Sequence, residues 1–302
     1  MDKLLIIGGS GFVGGNLVPI ASRVFDVWAT YHLFHPQEQG PWNFVQLDIG
    51  NKAEVRATVA AINPKVIIQA GALSGIACCE RHKASAYEIN VVGTRNMAEV
   101  VRDLNTKLIY LSTDLVFDGT RGHYTEDDEP SPVCYYGDTK RQAEEIVARL
   151  LDNYSVVRSS LLFGWSRWSQ APSRQFFERI LQELESGRPF RAFGDEFRSP
   201  LSVSTFCECL MEFAFREDLT GLYHVCGSER VSAFDFAIKL AQTAGCRLDL
   251  VTLDTSSHLG TSEVKRPKDC SMSNRKALSA LRTPIPALRT ALSEMLLNRP
   301  IF

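Results

Sequence analysis

The chain lacks the features that mark membrane proteins, nucleic-acid-binding proteins and zinc proteins. No apolar run in its 302 residues reaches the ~20 residues that a membrane-spanning helix needs. A formal net charge of -2 gives no reason to expect nucleic acid or an anionic membrane as a partner. None of the eight cysteines forms the C-x-x-C spacing of zinc sites, so we expect no metal.

Cysteine usage and the N-terminus both favour a cytoplasmic protein. Reduced, mostly buried thiols are the expected state of these cysteines, as in cytosolic proteins. Met1-Asp2-Lys3 is followed at once by a β run that the fold needs, so this start is not interpreted as a signal peptide. Hydrophobic content of 45% and charged content of 23% are typical of a soluble globular protein.

Apolar β runs alternate with helical stretches through the first half of the chain. This alternation predicts an α/β protein with a Rossmann-type doubly wound parallel sheet, covered on both faces. The predicted strands are 3–7, 26–31, 44–47, 65–69, 107–112 and 155–159, and the predicted helices are 12–23, 54–62, 84–104 and 136–151.

The pattern loosens after residue 163. Residues 164–173 are rich in Trp, Ser and Pro and are predicted to form a loop. We therefore expect a nucleotide-binding Rossmann domain over 1–163 and a smaller C-terminal α/β substrate lobe over 164–302. Some segments of the lobe can return to the first domain. Its predicted helices lie near 175–185, 204–216, 233–244 and 288–298.

A glycine-rich turn follows the first predicted strand and opens the first predicted helix. Glycines three apart allow a tight turn and a close approach of backbone to a pyrophosphate, which would face the helix N-terminus. A plain strand–helix turn is the alternative. The predicted cofactor contacts here are Gly8, Ser10, Gly11, Phe12, Val13 and Gly14.

The end of the second strand favours one cofactor. An acidic residue ~20 positions past the glycines would bind the adenine ribose hydroxyls of NAD. The chain instead has Thr30, Tyr31 and His32, so a 2′-phosphate meets no repulsion and Thr30 and His32 can hydrogen-bond it. NADP(H) is preferred on this basis and NAD(H) remains possible, since no Arg or Lys is present. Alternatively, Tyr31 and His32 only cover the sheet edge.

The remaining strand ends are predicted to meet at the same crevice, because ligands bind beyond the carboxyl ends of parallel strands. Asp48 can reach an adenine amino group, and small residues after the fourth strand leave room for a cofactor. The fifth strand ends in Thr113 and Asp114. The other predicted cofactor contacts at these ends are Ile49, Ala70, Gly71 and Ala72.

Tyr136 and Lys140 lie four residues apart at the start of a predicted helix, so they share one face of it. An ammonium near a phenol lowers the phenol pKa, which would give a proton donor usable near neutral pH. The spacing alone is weak, because many amphipathic helices carry it.

With these motifs, the chain resembles the extended short-chain dehydrogenase/reductases, and more narrowly the dTDP-4-dehydrorhamnose reductase group. The strand-five segment is the most specific of the matching segments and the glycine turn the least. The segments that carry the resemblance are 8–14, 87–90, 112–119, 136–140 and 266–269.

The resemblance implies NADPH-dependent reduction of a 4-keto group on a nucleotide-linked deoxysugar. Thr113 would hydrogen-bond the ketone, Tyr136 would donate its proton, and Lys140 would hold the nicotinamide ribose. Asn90 would support the lysine and the cofactor. The implied catalytic residues are thus Thr113, Tyr136 and Lys140.

Candidate substrate contacts lie on both halves of the chain. Arg198 and Arg266 in the second lobe have the bidentate donors that a diphosphate needs, although surface salt bridges explain each equally well. The full predicted set is Ser74, Thr113, Asp114, Trp165, Arg198 and Arg266.

The chain departs from the group in two places. A Trp usual after strand six is missing, and Trp165 and Trp168 lie close enough in the sequence to replace it. Some members form magnesium-bridged dimers through a Glu where this chain has Asn16, so we expect a monomer or a homodimer without metal.

Two other functions stay open. An epimerase or dehydratase of the same superfamily would pair the strand-five Thr with Asp and Glu, whereas here Leu115 follows Asp114. The chain also resembles the regulatory subunit of methionine adenosyltransferase, a non-catalytic binding protein. An intact catalytic triad argues against that alternative.

Overall fold

A computed structural model of the chain describes residues 1–168, 175–256 and 265–300. Its strands in the first half are β1 (Lys3–Ile7), β2 (Asp26–Tyr31), β3 (Trp42–Gln46), β4 (Val66–Gln69), β5 (Lys107–Thr113), β6 (Tyr154–Ser159) and β7 (Leu162–Phe163). Those in the second half are β8 (Phe190–Phe193), β9 (Phe197–Arg198), β10 (Leu201–Ser202), β11 (Gly221–Val225), β12 (Val231–Ser232) and β13 (Val251–Asp254).

The α-helices in these ranges flank the strands. In the first half they are α1 (Phe12–Ala21), α2 (Lys52–Ile62), α3 (Ile76–Arg81), α4 (Lys83–Tyr87), α5 (Gly93–Val101) and α6 (Tyr135–Leu150). In the second half they are α7 (Phe176–Glu185), α8 (Val203–Phe215), α9 (Ala233–Ala244), α10 (Arg275–Ala280) and α11 (Leu288–Leu297). None of these helices is long and apolar enough to cross a membrane.

Seven parallel strands form the central sheet, in the order β11-β6-β5-β4-β1-β2-β3. After Lys3, β1 is continuously apolar because both of its faces are covered. Leu4 and Ile6 join the core that contains α1 and α8, while Leu5 and Ile7 join the core of α2, α5 and α6. The predicted Rossmann-type α/β class is therefore confirmed.

The long helix predicted over 84–104 is interrupted. A π-helical stretch, Glu88–Val92, separates α4 from α5, and α5 ends at Val101. Hydrophobic periodicity does not detect a single wider turn of this kind, which often marks a functional site. The sequence reading also missed α3, and it started β3 two residues late.

The second half of the chain contributes to both parts of the molecule. β11 pairs with β6 in the central sheet, and α8 packs against α1. A separate hydrophobic cluster is formed by Phe163 with α7, α9 and α11. The division at residues 163 and 164 stays a prediction, with β11 and α8 on the first-domain side.

Lys107 at the start of β5 joins the sheet to the end of α8. Its ammonium donates to the carbonyl oxygens of Phe213, Arg216 and Leu219 at 2.9, 2.6 and 2.8 Å. These carbonyls include orphan acceptors at a helix C-terminus, where a cation is favourable. Burial lowers the pKa of Lys107 to about 8.

Candidate active site

A crevice of about 830 Å³ lies at the carboxyl edge of the central sheet. Most of the residues predicted from the sequence line it, although lining alone assigns no role. They are Gly8, Ser10, Gly11, Phe12, Val13, Gly14, Thr30, His32, Asp48, Ile49, Ala70, Gly71, Ala72, Ser74, Thr113, Asp114, Tyr136, Lys140, Arg198 and Arg266. Asn90 and Trp165 are not among the lining residues.

The glycine turn leaves no room for a side chain at Gly8 or Gly14. Gly8 has φ +81°, and a Cβ there would lie 2.5 Å from the Cα of Gly71. A Cβ on Gly14 would lie 2.2 Å from the carbonyl oxygen of Gly8. The first residues of α1 have no side-chain cap, so their N–H groups are available to an anion. This backbone cradle fits the pyrophosphate of a dinucleotide.

Thr30 fastens the turn to β2. The Thr30 side chain is 2% exposed, and its hydroxyl oxygen accepts a hydrogen bond from the Gly8 N–H at 3.0 Å. His32 is exposed at the strand end. The predicted hydrogen bonds to a cofactor phosphate therefore rest more on His32 than on Thr30.

Burial decides the protonation of the Tyr136–Lys140 pair. Lys140 is 3% exposed, and its Nζ lies 4.1 Å from the centroid of the Tyr110 ring. Burial lowers the pKa of Lys140 to about 7, with Glu144 opposing the shift. Burial raises the pKa of Tyr136 above its ordinary value, and the nearby Asp114 carboxylate adds to the rise. The expected lowering of the Tyr136 pKa is wrong, because desolvation of the phenolate dominates.

Asn90 lies behind the crevice wall, in the π-helical stretch. Its Oδ1 accepts from the Leu73 N–H at 2.8 Å, and its Nδ2 donates to the Leu73 carbonyl and to Thr139 Oγ1, both at 3.0 Å. These bonds tie the loop after β4 to α6 at the residue before Lys140. The side chain of Asn90 is therefore committed to protein groups, one of which is the neighbour of Lys140 in the sequence.

Thr113 and Asp114 end β5 in a hydrogen-bonded network. Thr113 Oγ1 donates to Asp114 Oδ1 at 3.2 Å, while Asp114 Oδ2 accepts from Ser160 Oγ at 2.6 Å and faces Arg198 Nε at 3.6 Å. Burial raises the pKa of Asp114, and Arg198 opposes the rise. Ser160 was missed because nothing in its local sequence marks it.

Trp165 was predicted to contact substrate, but in the structure it does not line the crevice. Its indole N–H donates to the Met295 carbonyl in α11 at 2.7 Å, and its ring packs on Phe177. A partly buried indole N–H is stabilised by an acceptor, and the Met295 carbonyl, which does not line the crevice, provides one. Trp168 lines the crevice instead, and its N–H donates to the Gly9 carbonyl at 2.9 Å.

Both predicted arginines line the crevice with partners already in place. Arg266 makes a two-point pair with Glu196, at 2.7 and 2.8 Å. Arg198 donates to the Phe197 carbonyl at 2.7 Å and to the Pro267 carbonyl at 3.2 Å. Glu196 is a second residue that sequence reasoning missed, since its partner lies 70 positions away.

Comparison with known proteins identifies the family. The family model described as RmlD substrate binding domain matches residues 2–299. The chain belongs to this family. Within the described residues of this RmlD family member, no group of three or more His, Cys, Asp or Glu side chains is placed to hold a metal ion.

Relatives of this RmlD family member include two named reductases and one subunit of another enzyme. A dTDP-4-dehydrorhamnose reductase of Aggregatibacter actinomycetemcomitans is 29% identical over 81% of this chain and 80% of that protein. A dTDP-4-keto-6-deoxy-D-glucose reductase of Streptomyces niveus is 26% identical over 97% of this chain and 96% of its own length. Methionine adenosyltransferase 2 subunit beta of Xenopus laevis is 29% identical over 66% of this chain and 60% of that subunit.

Solved structures agree with this assignment. The dTDP-4-dehydrorhamnose reductase of Bacillus anthracis, in complex with NADP, superposes with a TM-score of 0.83 at 25% identity, covering 98% of this chain and 99% of that one. A hypothetical dTDP-4-dehydrorhamnose reductase from Sulfolobus tokodaii gives 0.82 at 28% identity, covering 94% and 96%.

Proposed function

We propose that this chain is an NADPH-dependent reductase of the 4-keto group of a nucleotide-linked deoxysugar. One observation carries the proposal: a single crevice collects the glycine cradle, Thr113, Tyr136 and Lys140 at the carboxyl edge of the sheet. The whole-chain family match and the names of the similar reductases support the same reaction class.

Each side chain has a distinct task in this reaction. The bound cofactor supplies a hydride, and the chain must supply a proton to the carbonyl oxygen that becomes negative. Tyr136, whose raised pKa keeps the phenol protonated, is the donor. Lys140 shares its helix face and titrates near neutrality, so it can return a proton to Tyr136. Thr113 Oγ1 exchanges its present bond to Asp114 Oδ1 for one donated to the ketone oxygen, and so orients the ketone.

Arg198 and Arg266 are proposed to hold the diphosphate. The present partners of Arg198 are mostly backbone carbonyls, and Arg266 is half-buried against Glu196. A doubly charged diphosphate competes well for guanidinium groups because it accepts two parallel hydrogen bonds. The proposal predicts that each arginine gives up some of its present hydrogen bonds to protein groups and binds the diphosphate when substrate enters.

Turnover of NADPH with a panel of dTDP- and UDP-linked 4-keto-6-deoxysugars tests the function. We expect oxidation of NADPH with at least one panel member and a 4-hydroxy product by NMR. Tyr136→Phe is the matched control, because it keeps the cradle and removes the proton. A wild-type chain that binds NADPH but reduces no member of the panel would contradict the proposal.

A non-catalytic regulatory subunit is the second candidate, favoured by the similarity to methionine adenosyltransferase 2 subunit beta. It predicts NADPH binding without turnover, together with altered kinetics of an added methionine adenosyltransferase catalytic subunit. The epimerase or dehydratase alternative predicts conversion of a sugar nucleotide without net consumption of NADPH.

Location and assembly are also proposed. The eight cysteines are unpaired and six of them are buried, which fits a reducing compartment such as the cytoplasm. A monomer or a homodimer is expected, with a sugar nucleotide rather than nucleic acid as partner. Light scattering of the purified chain distinguishes the two assemblies.

A further inference from the structure

The segment after β7 lies directly on the glycine turn. The Trp168 indole N–H donates to the Gly9 carbonyl, and a Cβ on Gly15 would lie 2.6 Å from that indole nitrogen. The Trp168 ring also meets Phe44 of β3, edge to face, at 5.9 Å between centroids. Residues from the C-terminal half of the chain are thereby fixed beside the start of α1.

The same aromatic group reaches the end of β2. Phe44 meets Tyr31 at 6.4 Å, and Tyr31 meets His35 at 4.5 Å between ring centroids. In a sheet with this strand order, the adenine ribose of a dinucleotide lies at the end of the second strand. Trp168 therefore belongs to the ribose end of the crevice.

Arg167, the neighbour of Trp168, lines this crevice and is exposed. Among the described residues it has no ion-pair partner, in contrast to Arg198 and Arg266, which line the same crevice. The end of β2 itself has neither a carboxylate nor a cation, since it continues from Tyr31 into His32 and Leu33. Arg167 is thus a guanidinium without an ion-pair partner in the described part of the chain, and it lines the same crevice as the uncharged end of β2.

We propose that Arg167 determines cofactor choice by binding the adenosine 2′-phosphate of NADP(H). This inference rests on the proposed function, because it assumes that the crevice holds a dinucleotide. A planar guanidinium can donate two hydrogen bonds to a phosphate, which a hydroxyl or imidazole at the end of β2 cannot do. The charge that selects the cofactor comes from the second half of the chain and not from β2.

Calorimetric titration with NADPH and NADH tests the inference without turnover. Four proteins are compared: wild type, Arg167→Met, Arg167→Lys and Arg289→Met, the last replacing an exposed arginine of α11 outside the crevice. We expect Arg167→Met to raise the Kd for NADPH roughly tenfold and to leave that for NADH unchanged. Arg167→Lys should recover part of the affinity, and Arg289→Met should match wild type.

Two further titrations locate the contact. Adenosine 2′,5′-diphosphate should lose affinity for Arg167→Met in parallel with NADPH, whereas adenosine 5′-phosphate should not. Added salt should reduce the ratio of the NADH Kd to the NADPH Kd more in wild type than in Arg167→Met. The reason is that salt screens an exposed charge contact, which only wild type has.

The outcomes separate this inference from the proposed function. Equal losses for both cofactors in Arg167→Met would place the guanidinium on the pyrophosphate and overturn the 2′-phosphate contact. Unchanged NADPH affinity in that variant would overturn the inference while the reductase assignment stands. A wild-type chain that binds neither cofactor would overturn the proposed function and the inference with it.

Discussion

The crevice has two halves that are built from different groups. The glycine half, which comprises the turn at 8–14 with the ends of β1, β2 and β4, consists largely of backbone and small residues. The ion-pair half comprises Asp114, Ser160, Arg198, Arg266 and the partner Glu196, and consists of polar side chains that bind one another. The shape of the glycine half is set by backbone that leaves no space for larger side chains. The shape of the ion-pair half is set by side-chain contacts, which a bound ligand could replace.

This difference predicts how the halves respond to substitution. A change in the glycine half displaces backbone and should reduce cofactor binding and stability together. A substitution in the ion-pair half removes one charged side chain or leaves its partner unpaired, and it should alter substrate affinity alone. Tyr136 lines the same crevice but belongs to neither half, and its replacement should affect catalysis alone.

The largest expected effect is that of Tyr136→Phe. Loss of the proton donor should lower kcat at least ~100-fold, the low end for a general acid, with NADPH affinity retained. Tyr135→Phe is the control, since Tyr135 lies beneath Lys83 and does not line the crevice. Equal activity of the two variants in steady-state assays would show that the donor is misassigned.

Gly14→Ala should have the second largest effect. A new Cβ at 2.2 Å from the Gly8 carbonyl oxygen must displace the turn, which costs about 1–3 kcal/mol and should weaken NADPH binding at least about tenfold. Gly187→Ala, with φ +69° and open space around its Cβ, should lose stability but keep its affinity. Urea unfolding and calorimetry measure both quantities, and normal NADPH binding by Gly14→Ala would refute the backbone-built cradle.

Arg266→Met should have a smaller and more selective effect. Its guanidinium is partly exposed, so removal should raise KM for the sugar nucleotide roughly three- to tenfold and leave NADPH affinity unchanged. Glu196→Gln keeps the arginine charge and weakens its present pair, so KM should stay level or fall. If Arg266→Met and Arg198→Met both keep the wild-type KM, neither arginine holds the diphosphate.

The last expected effect concerns folding and not ligand binding, and it is a dependence of stability on pH. The pKa of Lys140 is lowered to about 7 in the folded chain, so the folded state releases this proton at lower pH than the unfolded chain does. Its unfavourable contribution is present below pH 7 and is relieved as pH rises toward the ordinary lysine pKa. Between pH 7 and about 8.5, below the ordinary range of cysteine thiols, the free energy of unfolding should rise more in wild type than in Lys140→Met. Urea titrations of both proteins at each pH give the free energy of unfolding. If it changed equally with pH in wild type and Lys140→Met, this role of Lys140 in stability would be excluded.

Local backbone requirements explain what the sequence could predict. The glycine turn and the Tyr136–Lys140 spacing are set within a few residues, and the structure brings them to one crevice. Trp165 and Trp168 show the limit of such reasoning. They are the same residue type, three positions apart. The Trp165 indole donates to the Met295 carbonyl and the Trp168 indole to the Gly9 carbonyl, and these distant acceptors decide which ring lines the crevice.

The same limit applies to the charged residues and to the π-helical stretch. Glu196 and Ser160 have their roles only through partners far along the chain. The wider turn at Glu88–Val92 places Asn90 against the loop after β4, a tertiary contact that helical periodicity does not encode.

The position of β11 bears on synthesis of the chain at the ribosome. Until residue 225 has emerged, β6 is an open edge with unpaired backbone groups, and Lys107 lacks the carbonyls that surround its ammonium. We therefore expect the first 163 residues to be aggregation-prone while they are a nascent chain, although they contain the whole glycine turn and the Tyr136–Lys140 pair. The central sheet is complete only after β11, in the C-terminal half of the chain, has been synthesised.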